Sequence, residues 1–221
     1  MTGKNTRYTL ELKIKEDDLR ERREEAEALS RGEIVSKSVS TGKRNTLYGI
    51  VKKAIQQIEE YDPNRDTFHI VWLHSTGRDA YVHNMRFHAT LFGTQDLFSM
   101  ERKDLITCYY FHESIFFSCR DNIDGAILTY SNKAQLCVNT LTSRLADFRR
   151  SDLYNSFKDG LCDPETPNNI SKNTMIAECE LDRKDASGII RYLCKKYSLK
   201  HLQTINMQQH SVMTSVRHDN N

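Results

Sequence analysis

Thr67 to His74 (Thr-Phe-His-Ile-Val-Trp-Leu-His) is a nearly continuous apolar run with a β-branched and aromatic bias. No alternation reserves a wet side, so it reads as a central strand buried on both faces. A strand of that kind needs sheet neighbours at its edges and a layer on each side, which an α/β architecture supplies. The segment before it agrees. From Asn45 or Thr46 a helix runs to Tyr61, with Leu47, Ile50, Val51, Ala54, Ile55 and Ile58 as its apolar stripe. Asp62-Pro63 then stops it. Further upstream, Tyr8 to Lys15 alternates Tyr8, Leu10, Leu12 and Ile14 with Thr9, Glu11, Lys13 and Lys15, the pattern of a half-buried strand with Glu11 and Lys13 on its polar face.

The remaining chain keeps interleaving the two kinds of element. An exposed, ion-paired helix is expected from Asp17 or Asp18 to Gly32, then a short strand at Glu33 to Val39. A helix at Asp79 to Phe92 ends at Gly93, and a strand follows at Leu105 to Phe111. Asn122 to Thr129 and Ala134 to Asn139 form a hairpin. Ser143 to Phe157 reads as one helix, Cys162 to Lys172 as a loop, Met175 to Leu181 as a strand, Asp185 to Tyr197 as a helix and Leu202 to Met207 as a final strand. No repeat, low-complexity tract or flexible linker divides residues 1–221, so a single α/β domain with a mixed central sheet flanked by helices is expected.

Composition narrows the setting. Hydrophobic residues make up 38% and charged ones 28%, the balance of a folded water-facing chain. No apolar run is long enough for a membrane span, and Met1 to Arg7 lacks the apolar core of a signal peptide. Six cysteines without a Cys-X-X-Cys pair read as buried reduced thiols, which predicts a cytoplasmic protein. The formal charge of +2 announces no polyanionic partner. Between Ser36 and Ile58, however, Lys37, Lys43, Arg44, Lys52 and Lys53 occur without any acid, a stretch suited to phosphates or to a solvated helix face.

A carboxylate and an ammonium two residues apart on one strand can hold a divalent ion and polarise a water. With Leu10-Glu-Leu-Lys13, the helix segment 48–58 and the buried strand Phe68 to Leu73, residues 8–74 resemble the core of the PD-(D/E)XK, or restriction-endonuclease-like, nuclease superfamily. The resemblance implies an endonuclease acting on DNA, less readily on RNA, in phage defence or a mobile element, with residues 75–216 completing the sheet. It implies that Glu11 ligates Mg²⁺, that Lys13 orients the water or stabilises developing charge, and that Gln57 (or Gln56) of the following helix supports the site. Lys37, Lys43, Arg44, Lys52 and Lys53 would then hold the nucleic acid. The family places an Asp on the strand before Glu-X-Lys, and residues 1–10 contain neither Asp nor Glu. Mg²⁺ needs several oxygen ligands, so one carboxylate does not suffice. Three completions stay open. Asp124, at a strand start beside Gly125, supplies the second ligand; the core begins upstream of Met1; or the chain is a non-catalytic interaction or regulatory protein that keeps the fold and works with a protein partner or as a homodimer.

Other constellations carry less. His69, His74, His83, His88 and His112 lack zinc-motif spacing and read as structural, and Cys137 reads as an inert thiol inside a strand. The aromatics between Phe87 and Phe117 read as core or interface. Arg144, Arg149 and Arg150 suit either phosphate or solvent.

Overall fold

The computed structural model describes residues 6–40, 45–166, 173–205 and 209–214, with 37–40 and 209–214 by backbone alone. In chain order the elements are β1 (Tyr8–Lys15), α1 (Leu19–Ser30), β2 (Val35–Ser40), α2 (Asn45–Tyr61), β3 (Phe68–Ser75), α3 (Ala80–Phe92), β4 (Gln95–Ser99), β5 (Asp104–Tyr109), α4 (Ile115–Ser118), β6 (Gly125–Tyr130), β7 (Lys133–Val138), α5 (Leu145–Phe148), α6 (Asp152–Ser156), β8 (Leu161–Cys162), β9 (Thr174–Ile176), α7 (Ala186–Lys196), β10 (Leu202–Ile205) and β11 (Gln209–Thr214). They build an α/β structure with mixed sheets flanked by helices. The main sheet has the order β1-β3-β6-β7-β8, with β1, β3 and β6 parallel, β7 antiparallel to β6, and β8 parallel to β7. A second sheet runs β10-β4-β5-β9, and β2 pairs antiparallel with β11.

The buried strand takes the central place its composition requires. Val71 and Leu73 of β3 point into a core with Val51, Ala54, Ile55 and Ile58 of α2 and Phe87, Leu91 and Phe92 of α3. Phe68 and Ile70 point the other way, into a smaller core with Ile127, Leu136 and Phe148. α5 and α6 close only part of that second face. Trp72 keeps 37% of its surface exposed, so the strand is not buried along its whole length.

β1 reverses the expected sidedness. Its register sets Glu11 beside Val71 and Lys13 beside Leu73, so both share the face that α2 covers. Leu10, Leu12 and Ile14 are 44%, 45% and 58% exposed. Alternation separates two faces of a strand but does not say which one the fold covers. Here α2 packs across β1 and β3 and meets β1 with Gln57 of its polar flank, while Leu10, Leu12 and Ile14 on the opposite face stay largely uncovered.

Two further differences have local causes. The stretch expected as one helix over Ser143 to Phe157 is divided into α5 and α6. Ser151, 2% exposed, caps α6 by accepting from Tyr154 N, and Arg149 turns aside to Asp163. β4, a short strand of mixed composition, pairs with β5 and founds the second sheet. Leu97, Ile106, Cys108 and Met175 of that sheet pack with Ile189 and Leu193 of α7. Among the described residues no helix is long and apolar enough to cross a membrane.

Candidate functional site

Glu11 and Lys13, two residues apart on one strand, stand roughly 7 Å apart along the backbone on the same face. The long lysine closes that gap: its Nζ donates to Glu11 Oε1 at 2.7 Å. The same Nζ donates to Gln57 Oε1 at 2.6 Å, so α2 contributes the third member. An open cavity of about 420 Å³ lies alongside, lined by Tyr8, Thr9, Leu10, Glu11, Gln57, Ile58 and Tyr61. Tyr61, one helical turn beyond Gln57, is part of this wall; its spacing of four residues from Gln57 is its one signal in the sequence. Lys53 lies one turn the other way from Gln57, exposed like Lys52. Lys43 and Arg44 fall outside the described residues, as does the side chain of Lys37, so the basic stretch is represented at the site by α2 alone.

Asp124 lies elsewhere. Its backbone pairs with His69, whose ladder partner on β1 is Thr9, so two strand spacings, about 10 Å, separate it from β1. Its carboxylate is fully buried and fully engaged. Arg65 Nη2 and His69 N each donate to Oδ2 at 2.9 Å, and Thr142 Oγ1 donates to Oδ1 at 3.1 Å. Arg144 adds its charge at 3.8 Å while donating to the carbonyls of Arg65 and Thr67 and lying 4.3 Å over the Phe68 ring. Asp124 and Glu11 are not brought together. Among the described residues, no group of three acids, histidines or cysteines includes Glu11. One carboxylate already neutralised by an ammonium is a poor donor set for Mg²⁺, and the described residues do not fit that ion.

Arg149 and Arg150, and His69, His74, His83 and His112, have structural partners. Arg149 grips Asp163 with two hydrogen bonds of 2.8 Å and reaches Glu165, and Arg150 pairs with Asp147. His69 is buried with Nδ1 3.0 Å from the Asn122 carbonyl and Nε2 3.2 Å from Asp62 Oδ2. His74 Nδ1 meets Thr129 Oγ1 at 2.8 Å, and His112 Nε2 meets Gln95 Oε1 at 2.9 Å. Burial, reinforced by Lys15, lowers the pKa of His83 despite Asp17 at 3.3 Å. His88 differs from these, since its Nε2 stands 3.4 Å from the sulfur of Cys162, beside Cys137. No sequence spacing signalled that grouping.

Comparison of the chain with protein-family models, with curated proteins and with solved structures returns no match in any of the three.

Proposed function

We propose that this chain is a cytoplasmic, non-catalytic interaction protein on a nuclease-like sheet, and that its partner is a second copy of itself joined edge to edge through β1. The observation carrying this reading is the edge itself. Phe68 N donates to Arg7 O and Thr76 N to Lys15 O, so the odd-numbered residues of β1 turn their backbone groups toward β3. Leu10, Leu12 and Ile14 therefore aim theirs outward, and the same three residues present open apolar side chains beside Trp72. An eight-residue edge of this kind is a template for another strand.

The order of residues selects the occupant. In an antiparallel pairing centred on Leu12, that residue faces the partner's Leu12 and Leu10 faces the partner's Ile14, all as hydrogen-bonded pairs. Glu11 then faces the partner's Lys13 in both directions, so the strand is complementary to itself. Centring on Glu11 or on Lys13 sets like charges against each other. Six half-exposed aliphatic side chains represent roughly 5 to 9 kcal/mol of burial. That only modestly exceeds, or merely matches, the cost of association, so a weak, reversible dimer is expected. Sedimentation equilibrium checks this. The wild-type chain should show a concentration-dependent dimer, and Leu12→Lys, which puts two ammonium groups on the two-fold axis, should be a monomer that melts where dilute, monomeric wild type melts. A wild-type chain that stays monomeric at every concentration would end this reading.

A nuclease is the second reading, favoured by the meeting of Glu11, Lys13 and Gln57 beside an open cavity that Glu11 and Gln57 line. In it the Lys13 ammonium, held by Gln57, stabilises negative charge developing on a phosphate. The test is cleavage of plasmid, linear and single-stranded DNA with Mg²⁺, comparing wild type with Glu11→Ala and Lys13→Ala. Cleavage lost in both variants would replace the interaction reading with this one. No cleavage by any form would dispose of the nuclease.

A further inference from the structure

β7 and β8 run parallel with Cys137 and Cys162 as direct register partners, so both thiols leave the sheet on the same face. α3 crosses that face and delivers His88. One imidazole nitrogen and the two sulfurs lie within 4.8 Å of one another. His88 Nε2 is 3.4 Å from Cys162 Sγ, and the Tyr109 hydroxyl of β5 is 3.9 Å from the same sulfur. Cys137 is fully buried and Cys162 is 6% exposed. The ring of Phe92 stands 4.9 Å from His88 and 5.0 Å from Tyr109, making an apolar wall.

A tetrahedral zinc ion with bonds of about 2.3 Å to sulfur and about 2.0 Å to nitrogen holds its ligand atoms roughly 3.5 to 3.8 Å apart. The His88–Cys162 separation is within a few tenths of an ångström of that spacing, and the 4.8 Å limit leaves only a small contraction for the rest. We propose that His88, Cys137 and Cys162 form a zinc site, with the fourth position beside the Tyr109 hydroxyl. Two sulfurs and an imidazole select a soft or borderline divalent ion over Mg²⁺. A disulfide between the two cysteines would explain their pairing but not the imidazole directed at the same sulfur. Binding replaces the two thiol protons with the metal and releases them to solvent. β8 has only two residues, and the ion would tie this shortest strand of the main sheet to α3.

The probe is the metal alone. Reduced chain stripped with a chelator is titrated with Zn²⁺ against a chromophoric competitor, and with Co²⁺ for its visible spectrum. One equivalent should bind and raise the melting temperature, and Co²⁺ should show tetrahedral bands with thiolate charge transfer. Affinity should fall roughly a hundredfold or more in Cys162→Ser and His88→Ala, while Cys119→Ser, outside the cluster, keeps it. Because a core variant can fail to fold, cadmium NMR of the wild-type chain reads the donor set directly, and a shift typical of two sulfurs and one nitrogen is expected. No uptake by the reduced wild-type chain, a cadmium signal typical of oxygen ligands, or binding unaffected by Cys162→Ser would overturn the proposal.

Discussion

Asp62 sits just after α2 and organises the turn that leads into β3. Its carboxylate accepts from Thr67 Oγ1 at 2.7 Å, from Thr67 N and Asp66 N at 3.0 Å each, and faces His69 Nε2. Burial raises its pKa, but the hydrogen bonds from Thr67 and from the backbone of Asp66 and Thr67 outweigh it and hold the carboxyl well below the usual carboxylate range. The ionised form is therefore favoured in the folded chain. Its contribution is present above the unfolded value of about 3.9 and is lost as pH falls through the lower folded value. Asp62→Asn should cost about 1 to 3 kcal/mol at neutral pH in urea unfolding, because its amide cannot accept from all three donors. That cost should shrink as pH falls below about 4; a cost that grows there would contradict the assignment. Asp62-Pro63 was legible as a helix stop, but the anchoring role was not, since it depends on Thr67 and His69 folding back. Asp124 shows the same limit. A carboxylate at a strand start beside a glycine suits a metal ligand and a buried anchor equally, and only Arg65, Thr142 and Arg144 decide for the anchor.

At the scale of elements, periodicity was a sound guide wherever one face decides the matter. α2, α3, α7 and the β6–β7 hairpin lie where the apolar spacing and the turn and cap residues put them, and α1 lies where its charge spacing and its Asp18 cap do. The failures come from information held in other elements. The exposed side of β1 is fixed by which face of β1 and β3 α2 covers, and β4 becomes a strand because β5 offers it an edge. The end of α3 was legible because it rests on one residue. Gly93 has φ of 57°, in the left-handed region, donates its N–H to Ala89 O, and lies against the His112 carbonyl. Gly93→Ala should cost about 1 to 2 kcal/mol for the backbone conformation alone, more with the collision against His112. Thermal unfolding of this variant beside Gly49→Ala, a helical glycine with open space around its Cβ position, separates the effects: the first should lower the melting temperature and the second should not.

For the whole molecule, the α/β architecture with a mixed sheet was readable from one doubly buried strand and the helix before it, while the second sheet was not. The two chemical groupings differ for the same reason. Glu11 and Lys13 were visible because two residues on one strand necessarily share a face, and Gln57 (or Gln56) only through what the family resemblance implies. His88, Cys137 and Cys162 come from three elements and were invisible. What the assembled sheet adds is an outer strand whose far edge is unpaired among the described residues, with apolar residues facing water and a charge pattern that matches its own reversed copy. Covalent trapping across that seam tests the account most directly. Under mild oxidation, Leu12→Cys should form a reducible disulfide-linked dimer, because residue 12 meets its own copy on the two-fold axis, while Leu10→Cys and wild type should not. Absence of the Leu12→Cys dimer, or equal trapping by Leu10→Cys, would contradict the pairing of β1 with a second copy.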